Sequence, residues 1–275
     1  MVAALVEHIN ALQQKSEHNK SENGSHYFDK PIIGYASAND PLFLKYKEVV
    51  GPFHHTPREI LEHAFGEISW KGGTVISWIL PVHRDVRLSN SKEKTFPSRS
   101  WAHMRNFGET FNSQIRREVV SMLSEAGFRS VAPQLNENWQ ELDILGAGPA
   151  STWSERHAAH AAGLGTFSLN DGLITSRGIA HRCGSVVTEL VIPPTARPYA
   201  SHTENCPFCT KGKCGACITR CPVGAITKDG HNKLKCRDYT YGTIPKEVGS
   251  RYGVKIAGCG LCQTRVPCEG KIPGI

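Results

Sequence analysis

The sequence predicts two units: an α/β or α+β domain over residues 1–194 and a small cysteine-rich domain over residues 195–275. Three observations carry this. Apolar runs with strand character alternate with helical patterns before residue 195. A stretch containing Pro193, Pro194 and Pro198 then interrupts the pattern. Nine of the ten cysteines follow it, within the last seventy residues. At 275 residues, with 39% hydrophobic and 21% charged residues, the chain is long enough to bury one large core or two modest ones.

The elements follow in order. Residues 1–14 read as a short amphipathic helix through Leu5, Ile9 and Leu12. Residues 15–30 are polar, rich in Ser, Asn, His and Lys, and read as a flexible segment. Thr56-Pro57-Arg58-Glu59 starts a helix: Thr56 caps, Pro57 suits the first turn and Glu59 completes a capping box. Thr74 to Leu80 is apolar, rich in β-branched residues and bounded by Gly73 and Pro81, which predicts a buried strand. Ile115, Val119, Met122, Leu123 and Ala126 repeat at helical spacing up to a stop at Gly127. Ser130 to Ala132 opens another strand, and Ser185 to Ile192 is a further one. Between them an Ala-rich helix from Ser154 runs into Gly163-Leu164-Gly165. These glycines would let backbone amides approach a flat ligand or a phosphate, and a helix C-cap with tight packing explains them equally well. They are not a dinucleotide fingerprint, since Gly-x-Gly-x-x-Gly is incomplete and no strand precedes it.

The cysteines fall into two sets. The first contains Cys214-x2-Cys217-x3-Cys221-Pro222, the core of the bacterial ferredoxin run, and the second is Cys236, Cys259-x2-Cys262 and Cys268. Two [4Fe–4S] clusters need eight thiolates, and this chain supplies them, which predicts a ferredoxin-like C-terminal domain that moves single electrons. Disulfides fit poorly, because residues 1–14 lack the basic region and cleavage site of a secretory signal. Zinc can use two Cys-x2-Cys pairs, but it needs only four ligands and no Cys-x3-Cys-Pro. In two-cluster ferredoxins the last Cys of each set crosses to the other cluster. On that rule one cluster takes Cys214, Cys217, Cys268 and either Cys206 or Cys209, while the other takes Cys221, Cys236, Cys259 and Cys262. Cys183 stands apart and reads as a small core residue.

Charge narrows the partners. The formal charge is +7, and two oxidised clusters at roughly −2 each lower it to about +3. The basic residues Lys228, Lys233, Lys235, Arg237 and Lys246 are diluted by Asp229, Asp238 and Glu247, so the pattern is no argument for nucleic acid. No apolar run approaches the ~20 residues of a membrane span. Thiol-rich chemistry without an export signal leads to the expectation of a cytoplasmic protein, from an anaerobe or facultative anaerobe.

Glu155-Arg156, Ala161-Ala162-Gly163-Leu164-Gly165, the 184–190 strand with Glu189, and Cys221-Pro222-Val223-Gly224-Ala225-Ile226 occur in that order. Cys236 and Gly258-Cys259-x2-Cys262-Gln263 follow them. This ordered set resembles the epoxyqueuosine reductase family, well over roughly residues 150–268 and weakly over roughly 70–130. Members of that family, like the related reductive dehalogenases, bind cobalamin in an α/β domain and feed it electrons from two [4Fe–4S] clusters. The resemblance implies a cobalamin pocket between the Gly163-Leu164-Gly165 segment and the cluster domain, with Arg156 among its walls. Arg105 and Arg156 would hold a corrin amide or an anionic substrate. A proton donor is then needed, and His157, His160, His103 and Tyr35 are the candidates, His157 and His160 sharing one helix face.

The chain departs from the family pattern in three places. The family has an Asp shortly before the Glu-Arg pair, thought to donate a proton. Here that stretch is Gly148-Pro149-Ala150-Ser151-Thr152-Trp153, with no carboxylate. No helical-repeat extension follows the second cysteine set, and Cys268 precedes Glu269 rather than Pro. The third departure affects only local cluster geometry; from the first two the expected function is a cytoplasmic cobalamin-dependent reductase acting on a small molecule, tRNA being an unlikely partner. A ferredoxin- or flavodoxin-type protein would be its electron donor. A non-catalytic electron relay serving a partner enzyme is the alternative, and a shortened epoxyqueuosine reductase is a third reading.

Overall fold

The computed structural model describes residues 1–274. Helix α1 (Val2–Lys15) buries Leu5 and Ile9 against a long central helix. The segment after it is held by specific hydrogen bonds. Ser16 caps a single turn at Glu17–Asn19. The fully buried Asn19 amide donates to the Gln13 and Phe28 carbonyls at 2.7 and 3.2 Å, and its Oδ1 accepts from the Phe28 amide at 3.0 Å. Its polar composition hid an anchor: Tyr27 and Phe28 lie in the main core, and Asn19 supplies the backbone partners that a strand or helix would otherwise provide.

Strand β1 (Ile32–Ser37) and α2 (Leu42–Val49) precede α3 (Pro57–Phe65). Helix α3 begins with the expected capping box, in which Thr56 Oγ1 accepts from the Glu59 amide and Glu59 accepts from the Thr56 amide. All eight residues of β2 (Thr74–Pro81) are buried, as a strand covered on both faces requires. Helices α4 (Arg84–Ser91) and α5 (Arg99–Glu125) follow. Helix α5 is twice as long as its apolar repeat suggests. Its first half holds Gly108, over which the Phe28 ring packs so closely that a Cβ would lie 2.7 Å from it. Tertiary packing there overrides weak local propensity.

Strand β3 (Ser130–Val131) leads to a hairpin of β4 (Glu141–Ile144) and β5 (Gly148–Ser151). Helix α6 (Glu155–Ala161), a second hairpin of β6 (Gly165–Phe167) and β7 (Leu173–Thr175), and β8 (His181–Thr188) complete the first half. The main sheet has the order β1-β2-β8-β3, and every pair is antiparallel. The architecture is therefore mixed α and β without the parallel crossovers of a doubly wound sheet. Strand β8 starts four residues before its apolar run, because β2 pairs with it out to Leu80↔Arg182 and Pro81↔His181.

The proline-rich stretch is pinned to the first half. The Thr195 amide donates to the Tyr35 carbonyl at 2.9 Å, Arg197 pairs with Asp40, and Tyr199 Oη donates to the His160 carbonyl. Beyond it come α7 (Pro207–Lys211), α8 (Ala216–Arg220), the short strands β9 (Ile226–Thr227) and β10 (Gly230–His231), α9 (Lys233–Arg237), and π-helical turns at Asp238–Thr243 and Pro245–Gly249. The two halves share hydrophobic clusters. Ala102 of α5 packs with Tyr239, Ile244 and Val248, and Ile174 and Ile179 pack with Cys206 and Val266. Among the described residues no helix is long and apolar enough to cross a membrane.

Candidate functional site

One cavity of about 540 Å³ lies where the halves meet. From the first half its walls take Trp101, Arg105 and Glu109 of α5, Glu155 and Arg156 of α6, the 170–173 loop, and His181, Arg182 and Cys183 at the start of β8. From the second half they take Cys221, Cys236, Cys259 and Cys262, together with His231 and Tyr241.

A buried charge network fixes the first wall. Arg116, at 0% exposure, donates to Glu109 Oε1 at 2.6 Å and to Glu155 Oε1 at 3.0 Å. Glu109 also pairs with Arg182, and Glu155 accepts from Ser185 Oγ. The network ties α5, α6 and β8 into one rigid surface. Burial opposes ionisation of Glu109, but the Arg182 and Arg116 guanidinia outweigh it and hold its carboxyl below the ordinary value. At Glu155 burial wins over the same kind of partner and the value is raised. Burial pulls Arg182 down to about 10, and its Nε has no hydrogen-bond partner among the described residues.

At the end of β8, His181 Nε2 donates to the Leu173 carbonyl at 2.7 Å. That leaves Nδ1 as an acceptor 3.5 Å from Cys183 Sγ. Burial lowers His181 to about 4 and raises Cys183 to about 12, so a neutral ring faces a protonated thiol on the cavity wall.

The cysteines gather in two places. Cys221, Cys236, Cys259 and Cys262 line the large cavity. Cys206, Cys214, Cys217 and Cys268 line a second, smaller one, while Cys209 is exposed beside it. Burial raises Cys217 to about 11 and Cys268 and Cys259 to about 12, and neighbouring thiols add to the rise. Filling either site with metal must therefore expel protons from crowded thiols. The loops are shaped for this crowding. Gly260, at φ +64, lies so close to Trp101 of α5 that a Cβ would fall 2.0 Å from the indole ring. Cys214 itself adopts φ +104, a left-handed conformation rare for a residue with a Cβ. The two groups of four thiols fit two [4Fe–4S] clusters in number and kind of donor. The unpaired Arg182 Nε and the cavity beside it fit an amide-rimmed macrocycle such as a corrin.

Several expected residues lie elsewhere. His157 contacts Ser154 Oγ at 2.8 Å and packs against Tyr46, His54 and Phe167. His160 bonds the Gly165 carbonyl at 2.9 Å and stacks on Tyr199. His103 contacts the Tyr252 carbonyl at 2.6 Å. None of the three lines the cavity, and burial lowers His157 and His160, which keeps them neutral structural groups. Tyr35 sits in β1, off the cavity wall. Gly163, Leu164 and Gly165 are also off the wall. Gly163, at φ +77, passes the Ala196 carbonyl and Gly165 the Ile174 carbonyl, at separations a Cβ would close to 2.6 and 2.5 Å. Their role here is close backbone packing. Arg156 does line the cavity, and it donates to the Asp171 carbonyl. Sequence reasoning passed over Glu109 and Arg116, whose i, i+7 spacing on one helix was the available signal, and over Asp171, His181, Arg182 and His231.

No family model matches the chain. The epoxyqueuosine reductase of Bacillus cereus is 30% identical over 138 residues, 48% of this chain and 34% of that one. The chain thus spans about a third of the length of the curated relatives it matches. A crystal structure of epoxyqueuosine reductase with an epoxyqueuosine-modified tRNA-Tyr stem loop superposes with a TM-score of 0.53 at 17% identity, over 98% of this chain and 65% of that one. A reductive dehalogenase, whose structure suggests a mechanism for B12-dependent dehalogenation, superposes with a TM-score of 0.54 at 14% identity, over 98% and 36%. These matches correct the expected partners. The matched curated relatives are epoxyqueuosine reductases and a structural neighbour holds a tRNA stem loop, so neither the small-molecule substrate nor the exclusion of tRNA stands. In sequence over about half its length, and in fold over nearly all of it, the chain is similar to the epoxyqueuosine reductases, and the reductive dehalogenases share that fold.

Proposed function

We propose that this chain is an iron–sulfur, corrinoid-dependent reductase whose substrate is a modified nucleoside in a tRNA stem loop. The observation that carries the proposal is the shared cavity: four of the cysteines form one wall, and the Arg182, Glu109, Arg116 and Glu155 network stiffens the opposite wall. Cys206, Cys214, Cys217 and Cys268 would hold one [4Fe–4S] cluster, in a ferredoxin-like arrangement, and Cys221, Cys236, Cys259 and Cys262 the other. Arg182 and Arg105 would meet the amide rim of a corrin. A bound corrin supplies reducing power at cobalt; the protein orients it and excludes water. The Cys183 thiol, held protonated against His181 Nδ1, keeps a proton at the cavity wall.

Anaerobic reconstitution with iron, sulfide and cobalamin tests the reading. Two clusters and one corrin require about eight iron and one retained cobalt. The loaded protein should then convert epoxyqueuosine in a tRNA stem loop to queuosine under reducing conditions. Eight iron without cobalt would replace the reading with an electron relay. Cobalt retention without conversion would remove the tRNA substrate.

A further inference from the structure

Two tyrosines of one π-helical turn, Asp238–Thr243, have opposite surroundings. Such turns are rare and occur frequently at functional sites. Tyr239 is buried, its ring lies within 14° of parallel to that of Phe96 with centroids 6.4 Å apart, and its hydroxyl donates to the Thr95 carbonyl. Tyr241 lines the large cavity yet is 52% exposed, so it stands at the cavity mouth. Among the described residues no other aromatic ring packs on it. The ring is held all the same. Arg105 Nη2 of α5 donates to the Tyr241 hydroxyl at 3.1 Å, and the Arg105 side chain is itself seated on Gly258, where a Cβ would lie 2.7 Å from it. Room is left alongside, because a Cβ on the neighbouring Gly242 would meet nothing within 4 Å.

We propose that Tyr241 is a stacking platform at the cavity mouth, on which one unpaired base of an RNA loop lies flat. The proposal rests on the tRNA stem-loop reading above. A base and a phenol ring gain dispersion contact and shed water from two flat faces, an effect of about tenfold or more in affinity per base. Arg105 has already fixed the ring, so little freedom is lost when the base arrives and more of the contact appears as affinity. Every base has a π-face. Tyr241 therefore contributes affinity and placement, and the choice of base falls to polar groups deeper in the wall.

The test uses the anaerobically reconstituted holoprotein and an unmodified RNA stem loop of tRNA-Tyr sequence. In one arm the loop carries 5-iodouridine at one position at a time. Long-wavelength ultraviolet light joins iodouracil to an aromatic ring stacked on it, and peptide mapping should place the crosslink on Tyr241 for one loop position. In the other arm the affinity of a fluorescein-labelled stem loop is read by anisotropy. Tyr241→Ala should weaken binding by about tenfold or more, while Tyr241→Phe and Tyr241→Trp, which keep a ring, should stay within about threefold of the native protein. Equal affinity in Tyr241→Ala, or no crosslink to Tyr241 at any loop position, would overturn the proposal. So would loss of retained cobalt in Tyr241→Ala with RNA affinity unchanged, which would assign the ring to the corrin. If Tyr241→Ala loses iron, Tyr241→Leu, with apolar bulk and no π-face, decides by the same affinity comparison. A stem loop that does not bind the native protein at all would remove the tRNA reading and this proposal with it, whereas binding indifferent to Tyr241 removes this proposal alone.

Discussion

His54 is buried at 1% exposure in the first half, and its ring is used in one protonation state only. The Ser154 amide, at the start of α6, donates to His54 Nε2 at 3.2 Å. Nε2 must therefore be unprotonated, and Nδ1 carries the hydrogen without a partner among the described residues. Burial, with His55 and Lys47 nearby, lowers the ring from 6.5 to about 4, and Glu59 opposes the shift only weakly. The sign is fixed by which state takes the proton first. Below the unfolded value near 6.5 the unfolded chain protonates and the native chain does not, so stability falls with pH until the native ring titrates near 4. A shift of about 2.5 units corresponds to a limiting loss of about 3 kcal/mol, of which about 2 kcal/mol has accrued by about pH 5. His54→Gln can still accept from the Ser154 amide but does not titrate. Anaerobic urea titrations of both proteins at about pH 7.5 and 5 should show the native protein losing about 2 kcal/mol more than the variant. An equal loss in both would refute the assignment, as would a His54 resonance titrating near 6.5 by NMR.

Other perturbations probe the cavity walls. Gly260→Ala forces a Cβ to 2.0 Å from the Trp101 indole at φ +64, and should cost about 2–4 kcal/mol in thermal or urea unfolding, with loss of iron from the cavity-side set. Glu155→Ala leaves Arg116 buried with one carboxylate instead of two, and should destabilise the protein by about 3 kcal/mol in urea, whereas Glu155→Gln, which keeps hydrogen-bonding oxygen, should cost less. Cys183, raised to about 12, should resist iodoacetamide at about pH 8 in the native holoprotein and react after denaturation; peptide mapping by mass spectrometry reads this directly, and rapid native alkylation would contradict the neutral pair with His181.

What the sequence disclosed depended on how local the physics is. The capping box at Thr56 and Glu59 and the buried strand from Thr74 need only neighbours in the chain, and both were legible. The cysteine sets were legible because cluster chemistry imposes its own spacing. The first half of α5 was not. Its helicity is held by Phe28 lying over Gly108 and by Trp101 against Gly260, contacts about 80 and 160 residues apart in sequence. Likewise His181, Arg182 and Cys183 have no strand pattern of their own, and pairing with Ile79, Leu80 and Pro81 of β2 makes them strand.

The site residues divide along the same line. His157 and His160 sit in an Ala-rich helix, where sequence alone suggests chemistry, yet that small-residue surface is what lets α6 bury both rings beside Tyr46, Phe167 and Tyr199. A histidine so enclosed loses its charge and with it the means to give up a proton near neutrality. Arg182 and Asp171 on the cavity wall were not legible because each has meaning only through a partner distant in the chain: Arg182 through Glu109 and Asp171 through His231. The Asp171–His231 contact joins the two halves, and the hydrophobic clusters of Ala102 with Ile244 and of Ile179 with Val266 span the same junction. The cavity therefore belongs to neither half alone, and its chemistry depends on the packing that joins them.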